Sequence, residues 1–325
     1  MTTAVQIRIS TGQSLEETIG NTPLIRLRRV TQGVPADVQV LAKAEHLNPG
    51  GSVKDRPALA MIVEAERSGR LHPGKTILDA SSGNTGIAYG MLAVERGYEV
   101  TLCLPSNASA ERKQILRTYG VEIIETSSSE GTDGAQIIAR QLAEQFPDRY
   151  VYLDQYNNEA NWRAHYETTG KEIWQQTKGT VTHFITGLGT TGTFTGVTRR
   201  LRECNASVRA VDVQPDLPLH GIEGLKHLPS AHVPGIYDSS LADEHLTVDT
   251  ESSLLMTQRL AKEEGLFVGP SSGANVFAAV ELAQRLSPGS VVVTILCDGG
   301  EKYLSANQQL RARLTVPTDH VFVSR

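Results

Sequence analysis

Four loops in this 325-residue sequence combine glycines with amine, hydroxyl or amide side chains, and each leads towards a stretch of helical spacing. The first is Asn48-Pro49-Gly50-Gly51-Ser52-Val53-Lys54-Asp55-Arg56, where Ser52 is a candidate N-cap with Asp55 completing the capping pattern. Lys54 then lies at the positive end of a helix. The dipole disfavours an ammonium there and enclosure adds a desolvation cost, so both lower its pKa towards an amine that can attack a carbonyl. A solvated lysine in a first turn fits the same spacing.

The second loop, Ser81-Ser82-Gly83-Asn84-Thr85-Gly86, gathers hydroxyls, an amide and free N–H groups where a helix begins. That suits a bound anion such as a carboxylate, or a turn that caps itself. The third, Gly187-Leu188-Gly189-Thr190-Thr191-Gly192-Thr193, can cradle a phosphate with its N–H groups and threonine hydroxyls. It also matches G-x-G-x-x-G, and Asp212 stands close to the roughly 20-residue spacing of a ribose-binding acid, so an NAD-dependent dehydrogenase is a rival reading. Against it, the motif lies mid-chain and three threonines suit a phosphomonoester better than a pyrophosphate.

The fourth loop is Gly269-Pro270-Ser271-Ser272-Gly273-Ala274, followed further on by Cys297-Asp298-Gly299-Gly300-Glu301-Lys302-Tyr303. A serine hydroxyl can bond a heterocyclic nitrogen without forcing its protonation. Ser271 serves equally as an N-cap, and Cys297 as a small core residue.

The elements that must position these loops alternate. Short β-branched runs, VQVLAKAEH, TILDAS, EVTLCLP, VEIIET, YVYLDQY, THFITG, VRAVDVQ and VVVTILC, are separated by amphipathic stretches such as PALAMIVEAERSG, IAYGMLAVERG, AERKQILRTYG, DGAQIIARQLAEQF and SLLMTQRLAKEEG. This rhythm predicts parallel α/β units with helices on both sheet faces. The length suits two lobes of about 150 residues with a site in the cleft between them. We set the boundary at 1–157 and 158–325. The looser stretch from Gln214 to Asp238 reads as a binding loop.

Composition narrows the partners. A 39% hydrophobic and 21% charged content is that of a globular chain, and no apolar run reaches the roughly 18 residues of a membrane span. With 31 basic and 36 acidic residues the net charge is −5, without a basic stripe for nucleic acid. The N-terminus lacks the pattern of a secretory signal, so a cytoplasmic location is expected. Cys103, Cys204 and Cys297 are far apart, which predicts reduced thiols and neither a metal clip nor a disulfide framework.

In this order the loops resemble the cysteine synthases, fold-type II pyridoxal-phosphate enzymes. The likeness runs from Ile19-Gly20-Asn21-Thr22-Pro23-Leu24 through all four loops to Lys302-Tyr303-Leu304-Ser305, nearly the whole chain. It implies a tryptophan-synthase-β-like fold of two three-layer αβα lobes with mostly parallel sheets, the first ~45 residues packing partly on the second lobe. It also implies pyridoxal 5'-phosphate as cofactor, bound by Lys54, Asn84, Gly189, Thr190, Thr191, Gly192, Thr193 and Ser271. Lys54 carries it as a Schiff base and then acts as base at the substrate Cα; Asn84 faces its phenolic oxygen; Ser271 meets the pyridine nitrogen. Ser81, Ser82, Thr85 and Gln155 take the substrate carboxylate, with Gly224 and Lys226 also at the substrate site. No metal is implied, and a homodimer is usual for the family.

The reaction implied is β-replacement, O-acetyl-L-serine plus sulfide giving L-cysteine and acetate. O-phosphoserine sulfhydrylase and cystathionine β-synthase share the same loops. Ile222-Glu223-Gly224-Leu225-Lys226-His227-Leu228-Pro229 and Cys297-Asp298 lean towards the B-type synthases, for which Lys226 and protonated His227 would offset a larger anionic donor such as thiosulfate. Ser81 in place of Thr, Lys171 in place of Pro, and Lys-His-Leu in place of Arg-Arg-Trp depart from the pattern.

Overall fold

The structure is a computed structural model that describes residues 12–81 and 83–304. In chain order its strands are β1 (Leu24–Arg26), β2 (Gln39–Ala44), β3 (Thr76–Ala80), β4 (Glu99–Pro105), β5 (Glu122–Thr126), β6 (Tyr150–Tyr152), β7 (His183–Gly187), β8 (Arg209–Pro215), β9 (Glu244–Val248) and β10 (Val291–Leu296). The helices are α1 (Asp55–Arg67), α2 (Asn84–Arg96), α3 (Ala110–Thr118), α4 (Gly131–Gln145), α5 (Glu159–Ala164), α6 (Gly170–Gln176), α7 (Gly192–Cys204), α8 (Thr250–Arg259) and α9 (Pro270–Gln284).

Two sheets follow from the buried runs. One has the order β5-β4-β3-β6 and the other β1-β2-β10-β7-β8-β9, parallel throughout except for the antiparallel β1–β2 pair. Alternation along a strand sends neighbours to opposite faces, so one buried strand feeds two cores. In the smaller sheet Ile77, Leu102 and Leu104 join α1 and α2, while Leu78, Ala80 and Cys103 join α4. In the larger sheet Val292 and Leu296 meet α9, while Val293 and Ile295 meet Val197 and Leu201 of α7. Both sheets are therefore covered on both faces. Truncating a residue such as Ile295 to alanine would cost about 2–5 kcal/mol.

Each strand run picked out from the sequence forms a strand. Two strands were not picked out: β1, three residues at an edge, and β9, whose side chains alternate between partly buried and exposed before Val248. Strand β2 precedes the smaller sheet in the chain yet pairs with β10 in the larger one, from Gln39↔Val291 to Ala44↔Leu296. Helix α5 packs on both α1 and α7, and a π turn at His165–Thr169 links it to α6. The stretch after β8 is a loop, as expected, pinned by buried Ile222, Leu225 and Leu228. Among the described residues no helix is long and apolar enough to cross a membrane.

Candidate active site

Lys54 occupies the N-cap position of α1, with φ −78° and ψ −14°. The expected Ser52 cap is not formed. Gly51, at φ 74°, folds the loop back so that Asp55 accepts from Gly50 N at 2.6 Å, and Ser52 Oγ accepts from Lys54 N at 3.2 Å. Burial pushes the Asp55 carboxyl up to about 7 despite that bond. Lys54 is partly buried and borders two adjoining cavities of ≈ 120 and ≈ 40 Å³. Desolvation lowers its pKa, opposed by the nearby Cys297 and Asp298.

On one side of Lys54 lies the start of α2. Ser81 Oγ accepts from Gly83 N at 3.3 Å and Gly86 N at 3.1 Å, so it closes the turn that opens the helix. Thr85 Oγ1 donates to Gln155 Oε1 at 2.6 Å, and Gln155 Nε2 donates to Ala80 O at 2.7 Å. Ser81, Asn84, Thr85 and Gln155 all line the larger cavity. Ser82 lies outside the described residues.

On the other side, β7 ends at Gly187 and α7 begins at Gly192. Thr191 sits between them at φ 70°, a left-handed conformation costing about 1–2 kcal/mol and of the kind found in the curled backbone turns that bind anions. A Cβ on Gly189 would overlap the carbonyl oxygen of Gly224, and one on Gly192 would overlap Asn161 Oδ1. Thr191 Oγ1 is buried without a hydrogen-bond partner among the described residues. Gly189, Thr190, Thr191 and Thr193 line the smaller cavity with Lys54, Gly224, Ser271 and Cys297. An unsatisfied hydroxyl, a curled loop and a desolvated amine at one cavity fit a phosphate-bearing aldehyde such as pyridoxal phosphate.

Ser271 is no N-cap: Gly269 holds that position and Pro270 follows it, which leaves the hydroxyl facing the cavity and Cys297. Burial pushes the Cys297 thiol up to about 11, so it is no ready nucleophile. Lys226 borders the larger cavity, but its Nζ donates to Asp133 Oδ1 at 2.7 Å and is already paired. Asp212, the acid a dinucleotide site would need, is fully buried in β8 and accepts from Tyr237 OH and His245 Nδ1.

Several residues at the site carry no signal of their own in the sequence. Arg112 borders the larger cavity from α3, stacked over the Tyr303 ring at 5.0 Å and paired with Glu223. Asn161 Nδ2 donates to Gln155 O and to Thr190 Oγ1, joining the two sides of the site. Asn275 Oδ1 accepts from Gly187 N at 2.7 Å. His165 Nε2 lies 3.3 Å from Thr193 Oγ1; burial lowers its pKa to about 3 and keeps the ring neutral. Only the fold brings these side chains to the loops.

A family profile described as "Pyridoxal-phosphate dependent enzyme" matches residues 15–298. The chain is 48% identical to a cysteine synthase of Aquifex aeolicus over 90% of its own length and 91% of the relative's. It is 46% identical to cysteine synthase B of Escherichia coli, over 90% and 94%. Among solved structures, the cysteine synthase of Entamoeba histolytica superposes with a TM-score of 0.87 at 32% identity, covering 99% of this chain and 96% of that one. An O-ureido-L-serine synthase superposes with a TM-score of 0.86 at 38% identity, over 95% and 98%. With a fold-type II architecture and identities of this size across nine-tenths of its length, the chain belongs to the pyridoxal-phosphate-dependent enzymes, among the cysteine synthases.

Proposed function

We propose that this enzyme converts O-acetyl-L-serine and sulfide to L-cysteine and acetate, with Lys54 as the residue that holds the cofactor and moves the Cα proton. The observation that carries this is the place of Lys54, a desolvated amine between a hydroxyl-and-amide pocket and a phosphate-sized loop. Bound there, pyridoxal phosphate draws electrons from the substrate Cα and so lets acetate leave from Cβ.

The chain's own groups supply the rest. Thr191, Thr193 and the N–H groups of 189–193 hold the phosphate, and Ser271 bonds the ring nitrogen without charging it. Asn84 faces the ring oxygen. Ser81, Thr85 and Gln155 orient the carboxylate so that the Cα–H bond points at Lys54, and Ser82 adds to them. Lys54 takes that proton as the Cβ–O bond breaks and returns it after the Cβ–S bond forms. Gly224 lets the loop backbone approach the substrate, and Lys226 with Arg112 closes the cleft against water. We read 1–157 and 158–325 as the two lobes, and the enzyme as a cytoplasmic homodimer; size-exclusion chromatography tests the dimer.

Visible absorption of purified protein before and after O-acetyl-L-serine tests the proposal. The expected result is a band that shifts with this substrate and returns with sulfide. A colourless protein that takes up no pyridoxal phosphate would overturn it, and a band moved only by O-phosphoserine or serine would change the substrate.

A further inference from the structure

Asn84 is gripped by two groups of opposite hydrogen-bonding capacity. Its Nδ2 donates to Asp298 Oδ2 at 2.7 Å, and its Oδ1 accepts from Lys302 Nζ at 2.9 Å. A carboxylate cannot donate and an ammonium cannot accept, so only one orientation of the amide is allowed. Lys302 Nζ also donates to Gly50 O at 3.1 Å and Gly51 O at 2.9 Å, which commits all three of its hydrogens. Asp298 Oδ2 in turn accepts from Tyr303 OH at 2.6 Å. The three residues that surround partly buried Asn84 are themselves buried: Asp298 is 0% exposed, Lys302 4% and Tyr303 3%.

The cost of this arrangement is visible. Asp298 Oδ1 is buried and has no partner among the described residues. Positioning a single N–H and a single O–H needs only a neutral acceptor, so a carboxylate left half satisfied is an expensive choice. What position 298 must supply is an acceptor for Asn84 Nδ2, and because Lys302 fixes Asn84 Oδ1, any acceptor oxygen there serves that end. With one Nδ2 hydrogen committed to Asp298, the other remains for an acceptor in the cleft, both cavities of which Asn84 borders.

The same segment also grips the loop of Lys54. Val53 N donates to Cys297 O at 2.8 Å, Ser52 and Asp298 form a β-bridge, and the Lys302 bonds hold the Gly50–Gly51 turn. One stretch after β10 therefore sets the amine and the amide against each other, although they come from separate parts of the chain.

We propose that Asp298 and Lys302 are positioning residues that fix the Asn84 amide with an N–H towards the cofactor's ring oxygen. This rests on the reading that Asn84 faces that oxygen. A donor at that atom stabilises its negative charge, and losing it moves the absorption of the loaded enzyme from the visible towards the near ultraviolet.

The test compares Asp298→Ala, Asp298→Asn, Lys302→Met and Asn84→Ala as full-length, cofactor-loaded proteins by absorption spectrum, cofactor dissociation constant and melting temperature. Asn84→Ala is expected to weaken cofactor retention roughly tenfold and to shift the band. Asp298→Ala and Lys302→Met shift it in the same direction by less, and Asp298→Asn, which keeps an acceptor oxygen, recovers most of the native spectrum. Lys302→Met removes the opposite hold and carries the test if Asp298→Ala does not fold.

A native spectrum and cofactor affinity in both Asp298→Ala and Lys302→Met, with Asn84→Ala altered, would overturn the positioning role and leave Asn84 in place. Equal damage in Asp298→Asn and Asp298→Ala would overturn it too, by showing that the negative charge near Lys54 is what matters. A native spectrum in Asn84→Ala would instead remove the reading of Asn84 on which the proposal stands.

Discussion

Lys226 and Asp133 face each other across the mouth of the cleft, the ammonium on the loop after β8 donating to a carboxylate in the first turn of α4 at 2.7 Å. Arg112 and Glu223 form a second pair beside it in the opposite sense, base on α3 and acid on the loop. In both pairs the base is the more buried partner. Burial opposes ionisation of Asp133, yet the bonds from Lys226 and His232 N hold its carboxyl below the usual range.

Lys226→Ala removes one of these two ties while leaving Lys54 and the second loop intact. The apparent KM for O-acetyl-L-serine is expected to rise about three- to tenfold with kcat within about threefold, the scale of one partly exposed ion pair. Initial-rate kinetics at low and high salt check this. An unchanged KM at both ionic strengths would show that closure does not depend on the pair.

Lys54→Ala should lose at least about 10²–10⁴-fold in turnover, the range of a positioned acid–base group. Borohydride treatment followed by peptide mapping should label Lys54 in the native enzyme and no peptide in the variant. A label on another lysine would reassign the cofactor.

Thr85→Ala leaves Gln155 Oε1 without its donor and the carboxylate pocket without a hydroxyl. A lost bond to a charged group is worth about 1.5–3 kcal/mol, so kcat/KM should fall roughly 10- to 150-fold while cofactor content stays native. Equal kcat/KM would place the carboxylate elsewhere.

Glu45 lies at the centre of a buried network. It accepts from both Arg56 Nε and Arg56 Nη2 at 2.7 Å and from Thr22, and Arg56 reaches on to Glu172, which also holds Lys43. Burial favours the neutral acid, but Arg56 outweighs it and holds Glu45 down to about 2, below its ordinary 4.5. A folded-state pKa below the unfolded one means that the stabilisation is complete above pH 4.5 and disappears as the pH falls towards 2. Glu45→Gln should cost about 3–5 kcal/mol at pH 7 and flatten the acid limb between those values. Urea melts at pH 7 and pH 3 measure both; parallel acid limbs in the two proteins would refute it.

How much was legible depended on how local each constraint was. The runs TILDA and VVVTIL could be read as buried strands because a sheet covered on both faces tolerates no polar alternation. β1 is too short for any period, and β9 alternates weakly at an edge. Glycine and threonine at 189–193 disclosed a phosphate-type loop because the backbone itself does the work there. The Ser52 cap failed because the Gly50–Gly51 turn decides which group meets the first N–H. Arg112, Asn161 and His165 matter through neighbours far along the chain, which spacing cannot reveal.

The parallel pairing of β2 with β10 also bears on how the protein is made. All residues of the smaller sheet are synthesised, and can pair among themselves, before β10 leaves the ribosome. β2 emerges earlier still, and until then it has on that flank an open row of backbone donors and acceptors, with only β1 to pair with. The larger sheet thus closes through a contact of very long sequence separation, a slow step of high contact order. Nascent chains halted before residue 291 would hold a finished smaller sheet beside an exposed edge, a natural client for a chaperone that shields unpaired strands.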